Sequence, residues 1–211
     1  MKRFLPLASL LLLGSALADP LEGTYDARRT TFLDGTLKGT LKITAEGKAL
    51  RFTWDAPYGK FSGLGLRLGN AVAVAVGKPE CGVAIYAQKG RTFTGNWTVT
   101  GAGVGTETFD WDGLKAARVD VRGSNPDGST YAGKLLLPVQ DGYTTPEWII
   151  GKDETRGSGI LMDGTLATAF GAPNCQVALY RLNPDTGELS GMFFQVSNAE
   201  VMTQAETATR R

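Results

Sequence analysis

From Asp19 onward the chain is a succession of short runs in which apolar and polar residues alternate, separated by Gly, Asp, Asn and Pro. A period of two, closed off by turn formers, predicts β-strands. Thr24 to Phe32 is a first strand, and Asp34-Gly35 turns it into Thr36 to Thr44, with Leu37, Leu41 and Ile43 on one face. Leu50 to Trp54 alternates Leu50, Phe52 and Trp54 with Arg51 and Thr53. Three more strands are expected between Phe61 and Tyr86, followed by Thr92 to Val99 and Val104 to Phe109. No segment sustains a 3.6-residue period over a helical length, so little helix is expected. Asp110-Trp111-Asp112-Gly113 reads as another hairpin turn, and the polar end from Ala205 to Arg211 is expected to fray.

The second half of the chain repeats the first. Phe61 to Tyr86 returns without a gap 94 positions later as Thr155 to Tyr180, with 10 of the 26 paired positions identical. Outside that stretch Trp148 matches Trp54, and Gly191 and Phe193 fall opposite Gly95 and Trp97. A duplicated structural unit accounts for this, with one repeat at 19–110 and a second at 111–211.

Both faces of the central strand are apolar: Val72, Val74 and Val76 make one, Ala73 and Ala75 the other. Gly63 and Gly65 share a face of the strand before, and Ala84 shares parity with Tyr86 in the strand after. If register aligns them, these small residues form a shallow face bordered by Tyr86, and by Tyr180 in the copy. A dense core requires large groups to fill such a face. Trp54, Trp97, Trp148 or Phe193 could do so from a facing sheet; alternatively the face lines a cavity for a small apolar ligand, with the tyrosine hydroxyls at its polar end.

The N-terminus changes the setting. Lys2 and Arg3 precede an apolar run from Leu5 to Leu13, and Ala16-Leu17-Ala18 offers a small-x-small cleavage pattern, so residues 1–18 read as a signal peptide. The run is too short for a transmembrane span. Export favours disulfides, and the chain has two cysteines, Cys81 and Cys175, at equivalent repeat positions. Equivalent positions meet beside a pseudo-two-fold axis, so a Cys81–Cys175 bond is expected. Without Lys2 and Arg3, 20 of the 22 basic side chains balance 21 acidic ones in no evident cluster, which argues against nucleic acid as a partner.

Catalytic chemistry finds little support. The chain has no His, which removes Ser-His-Asp and Cys-His arrangements and the commonest transition-metal ligand, and no cofactor or metal is implied. Carboxylate pairs could serve a glycan-active hydrolase, with Glu80, Glu107, Asp110, Asp112 and Glu154 as candidates, but all lie in or beside expected turns.

Gly63-Leu64-Gly65-Leu66, Ala71 to Gly77, Gly82 to Tyr86, Gly95-Asn96-Trp97 and Gly105-Thr106-Glu107 together resemble bacterial secreted tandem-repeat β-proteins of unassigned function, some labelled fibronectin-binding. The second copy lacks the final Gly-Thr-Glu. The meander that starts near Gly23-Thr24-Tyr25 is more distantly similar to avidin-type and lipocalin-type barrels, a likeness of architecture that maps no ligand set onto these positions.

The expected protein is therefore an all-β antiparallel meander, forming a β-barrel or barrel-like sandwich from two tandem repeats with pseudo-two-fold symmetry. Its expected location is periplasmic, cell-surface or secreted. Its expected role is that of a non-enzymatic binding or envelope-associated structural protein with an envelope or extracellular partner. The alternatives are a small apolar ligand carrier using a Gly/Ala-lined interior and a glycan-active hydrolase.

Overall fold

A computed structural model describes residues 19–31, 35–57, 59–197 and 200–211. The expected signal peptide lies outside the described residues. The strands, in chain order, begin with β1 (Gly23–Thr31), β2 (Gly35–Glu46), β3 (Ala49–Ala56), β4 (Gly59–Leu68) and β5 (Ala71–Val76). Next come β6 (Gly82–Lys89), β7 (Thr92–Thr98), β8 (Gly105–Asp110), β9 (Ala117–Ser124) and β10 (Thr130–Leu137). Two short pieces, β11 (Val139–Gln140) and β12 (Tyr143–Thr144), precede β13 (Glu147–Ile150), β14 (Asp153–Met162) and β15 (Thr165–Phe170). The chain closes with β16 (Gln176–Leu182), β17 (Leu189–Ser197) and β18 (Glu200–Arg210). Among the described residues there is no helix.

These strands form two closed antiparallel barrels, as the all-β barrel reading expected. The first runs β1-β2-β3-β4-β5-β16-β17-β18 and closes where β18 pairs with β1. The second runs β6-β7-β8-β9-β10-β13-β14-β15 and closes where β15 pairs with β6, with β11 and β12 as an added hairpin against β14. The chain thus passes into the second barrel after β5 and returns after β15. Each sequence repeat supplies five principal strands to one barrel and three to the other, so both barrels are joint products of both repeats.

The Ala-Val-Ala-Val-Ala-Val sequence of β5 explains why every one of its positions is buried. Val72, Val74 and Val76 point into the first barrel, among Leu41, Ile43, Phe52, Trp54 and Tyr180. Ala73 and Ala75 point out, into a separate core between the barrels that contains Leu64, Leu66, Val83, Ile85, Ala167, Ala169, Val177 and Leu179. Small residues on the outer faces of β5 and β15 allow the barrels to pack back to back. The interior of the second barrel holds Ala84, Tyr86, Phe93, Phe109, Val121, Leu135, Trp148 and Leu166.

This arrangement corrects two expectations. The shallow Gly/Ala face does not form: Gly63 and Gly65 pair with Val76 and Val74 on the inward side, while β6 leaves the sheet and pairs with β15 rather than β5. The polar C-terminal stretch does not fray. It is most of β18, which pairs with both β1 and β17 and buries Glu206 and Ala208, because a barrel seam needs paired backbone and only alternate inward side chains.

The two crossovers are equivalent turns, Gly77 to Cys81 and Gly171 to Cys175. Each cysteine N–H donates to a carbonyl three residues back, Lys78 O at 3.0 Å and Ala172 O at 3.2 Å. Gly77 has φ +149° and Gly171 φ +109°, and a Cβ on Gly171 would stand 2.6 Å from Glu80 O, so side chains are disfavoured at the first residue of either turn. Cys81 and Cys175 are bonded, with Cα atoms 5.6 Å apart and 94 residues apart in sequence. The bond pins the outgoing crossover to the returning one.

Replacing both cysteines (Cys81→Ala with Cys175→Ala) is expected to lower unfolding stability by roughly 3–5 kcal/mol, the range for a loop of this length. Urea midpoints compared at unchanged slope check this. A loss below about 1 kcal/mol would mean that the apolar inter-barrel core already restrains the unfolded chain as strongly as the covalent link.

Candidate functional site

Each barrel contains a buried glutamate. Glu107 on β8 is 4 % exposed and Glu206 on β18 is 3 % exposed. A carboxylate in such a place must have its oxygens satisfied, and both barrels do this with the same residue types. In the second barrel the Trp148 indole donates to Glu107 Oε1 at 3.0 Å and the Tyr86 hydroxyl donates to the same oxygen at 2.7 Å. In the first, Trp54 and Tyr180 donate to Glu206 Oε1 at 2.9 and 2.6 Å. Every such triad draws its tryptophan from one sequence repeat and its tyrosine and glutamate from the other.

Register makes the two sites superimposable. Reading across strands, the second barrel presents Tyr86, Gly95, Glu107, Gly123 and Tyr131. The first presents Tyr180, Gly191, Glu206, Arg29 and Leu37. Gly95 and Gly191 leave room for the tyrosine rings: a Cβ on either would lie 2.5–2.6 Å from Tyr86 or Tyr180 Cδ1. The ring lies flat over the glycine and aims its hydroxyl at the carboxylate beyond.

The rows differ at two positions, and there the barrels part company. In the first barrel Arg29 covers the second oxygen. Its Nε and Nη2 lie 3.0 and 2.9 Å from Glu206 Oε2, the former with hydrogen-bond geometry. The guanidinium is stacked 3.8 Å from the Phe193 ring centre and 5.0 Å from that of Phe61. Little space remains, a gap of about 10 Å³ beside Arg29, Trp54 and Glu206. In the second barrel the position of Arg29 is Gly123, and the Tyr131 ring lies over it, where a Cβ would be 2.3 Å from Cζ. The Tyr131 hydroxyl donates to Glu107 Oε2 at 2.8 Å. It replaces a hydrogen bond but not a charge.

A cavity of about 390 Å³ opens beside Glu107. Its walls are Trp97, Tyr131, Trp148, Ile150 and Phe170, with Tyr86 and Glu107 within and Asn125, Asp153 and Thr155 completing the lining. No Lys or Arg is among them. Burial pushes the Glu107 carboxyl above the usual carboxylate range, and the donors Trp148, Tyr86 and Tyr131 pull it part of the way back. Burial, reinforced by the Glu107 charge, holds the Tyr86 and Tyr131 hydroxyls above their ordinary value, so both stay protonated donors at neutral pH. The Trp97 Nε1–H is buried without a hydrogen-bond partner. A wider groove of about 670 Å³ runs outside the same barrel past Arg118, Leu136, Pro138 and Glu147, and no buried charged side chain lines it.

Of the residues singled out in the sequence, Tyr86 and Trp148 come together in the cavity, and Ala84 lies in the core behind them. Trp54 and Tyr180 meet in the filled barrel. Gly63 and Gly65 face that same interior, with the Phe52 ring and the Val74 and Val76 side chains against them, and Ala73 and Ala75 lie between the barrels. Glu107, expected as a solvated acid in or beside a turn, is instead a buried, inward position of β8. Its parity with Phe109 was the available signal. Asp110 ends the same strand, Asp112 follows it, and Glu80 and Glu154 are exposed and do not line the cavity. Sequence reasoning missed Arg29, Tyr131 and Glu206. Glu206-Thr207 is the counterpart of Glu107-Thr108, hidden by a shift of register outside the ungapped repeat. Among the described residues no group of acidic and thiol side chains could hold a metal ion, and no helix is long and apolar enough to cross a membrane.

Arg29→Met would strand Glu206 as a buried, uncompensated charge, and a loss of about 3–5 kcal/mol in unfolding stability is expected. Tyr131→Phe, which removes one hydrogen bond, should cost about 1–3 kcal/mol. Chemical denaturation of the two variants checks the contrast. The raised Glu107 pKa carries a sign. The folded state holds this proton more tightly than the unfolded chain, so the contribution is full below the ordinary carboxylate value of about 4.3 and fades as pH rises through Glu107's own higher value. The groups facing it are Trp148, Tyr86 and Tyr131, with Asp153 also on the cavity lining. Glu107→Gln should flatten that decline in urea midpoints measured across pH 4 to 8. No protein-family model, curated protein or solved structure matches the chain, so the two sites are best read against each other.

Proposed function

We propose that the protein is an exported, non-enzymatic binding protein that holds a small molecule inside its second barrel. The observation that carries this reading is the contrast between two equivalent interiors: one is filled by Arg29, and the other leaves about 390 Å³ beside a buried carboxylate. Were the second interior only a core, the most stable sequence would fill it as the first is filled. Its volume lies in the range of small-ligand sites, and half of its ten lining residues are aromatic, with a few convergent polar groups among the rest, as suits such a site. Export is supported by the N-terminal Lys2-Arg3 and apolar run, and by the disulfide.

The interior used is not the Gly/Ala face expected from the sequence. It is an aromatic chamber inside the second barrel, to which β6 alone of the three strands expected to form that face contributes. Of the carboxylates considered for glycan hydrolysis, Glu107 alone lines the chamber. Three donors already engage it, which favours a recognition role over that of an acid or base.

Native mass spectrometry of protein purified from its own source is expected to show a retained small molecule. Gly123→Arg combined with Tyr131→Leu transplants the plug of the first barrel into the second and should abolish retention while the protein keeps its near-ultraviolet circular dichroism. A bare polypeptide mass for the wild type, with no small molecule released on denaturation, would count decisively against the proposal.

A further inference from the structure

We infer that the ligand of the second barrel carries a small organic cation, a substituted ammonium group seated over Trp97 with Glu107 as its counter-charge. This rests on the small-molecule reading above and specifies its chemistry.

The first barrel supplies the template. There a cation belonging to the chain, the Arg29 guanidinium, occupies the place defined by Phe193, Phe61 and Glu206. The counterparts of those three residues are Trp97, Thr155 and Glu107, and all three line the cavity. The second barrel therefore keeps the counter-charge and the ring, and improves the ring, since indole is the strongest cation–π partner among side chains. It trims the second ring to a threonine, and it discards the cation by placing Gly123 where Arg29 stands. What is missing from the second site is what the first provides from within.

The remaining walls agree. Tyr131 packs edge-to-face with Trp97, centroids 6.3 Å apart, and Trp148 lies 5.7 Å from Phe170, so several rings border one space. Their faces carry negative potential and repel anions. Glu107 and Asp153 add two carboxylates, and no basic side chain lines the cavity to neutralise them. The three donors to Glu107 leave its Oε2 with one engaged partner, Tyr131, and therefore with acceptor capacity toward the cavity. A guest bearing positive charge would remove the cost of keeping Glu107 ionised in a buried site; a neutral or anionic guest would not.

The test compares three probes of nearly one shape and different charge, namely tetramethylammonium, tert-butanol and pivalate, by calorimetry and tryptophan emission on the full mature chain. The expected result is that tetramethylammonium binds about tenfold or more tightly than tert-butanol, while pivalate gives no signal. Glu107→Gln, which retains partners for Trp148, Tyr86 and Tyr131, is expected to weaken tetramethylammonium about tenfold or more while leaving tert-butanol unchanged. Gly123→Arg with Tyr131→Leu should remove both. If tert-butanol matches or exceeds tetramethylammonium, or if Glu107→Gln leaves tetramethylammonium unaffected, the cation assignment is wrong although the chamber still binds. If none of the three binds and the native protein also carries no small molecule, the assignment and the binding reading fall together.

Discussion

A carboxylate inside a β-barrel sets the terms for everything around it. Neither Glu107 nor Glu206 can be buried unless donors reach both oxygens, and in each barrel those donors come from strands on opposite sides of the interior. The tryptophan of β13 or β3 reaches across the interior, while the tyrosine of β6 or β16 reaches over a glycine on the strand between. The hydrogen bonds thus fix which strands face one another and in what register, and a slip by one residue would turn the glutamate out and leave indole and phenol unsatisfied. Polar groups used in this way specify a unique interior more than they add stability.

Given that constraint, the two barrels offer two solutions for the second carboxylate oxygen. Arg29 answers with charge and volume at once, and the Phe193 and Phe61 rings against its guanidinium make the plug solid. Tyr131 answers with a neutral hydroxyl and a ring that lies sideways over Gly123, and solidity is lost. Along that cross-strand row the duplicated unit has diverged at two neighbouring positions, 29/123 and 37/131, and these changes, together with Thr155 in place of Phe61, separate a filled core from a chamber.

Much of this was legible in the sequence, for identifiable reasons. Alternation gave the strands, and Val72-Ala73-Val74-Ala75-Val76 announced burial on both faces because no polar residue interrupts it. Equivalent placement of Cys81 and Cys175 pointed to a symmetry axis, where the bond lies. The assignment of strands to barrels was not legible, because Gly77 to Cys81 looks like any hairpin turn and nothing local says that β6 will pair with a strand about 80 residues later. Arg29 and Glu206 were invisible for a similar reason. Each sits in a polar-looking strand, and their complementarity spans 177 residues. Tyr131 could have been noticed as the aromatic replacement for Leu37 at the repeat offset, but its meaning depends on Gly123 beside it.

The crossovers carry a consequence for the order of events during folding. The second barrel is a continuous segment, from Gly82 to Phe170, inserted into the first, and it can close on itself once that segment is free. The first cannot: its seam joins β1 to β18, so the outer edge of β1 stays unpaired until β18 is available. Until then the β1–β5 meander is an open sheet whose two free edges invite pairing with other chains. The chamber-bearing barrel can thus be in place before the plugged one, and the plug residue Arg29 finds Glu206 only once β18 has joined the sheet.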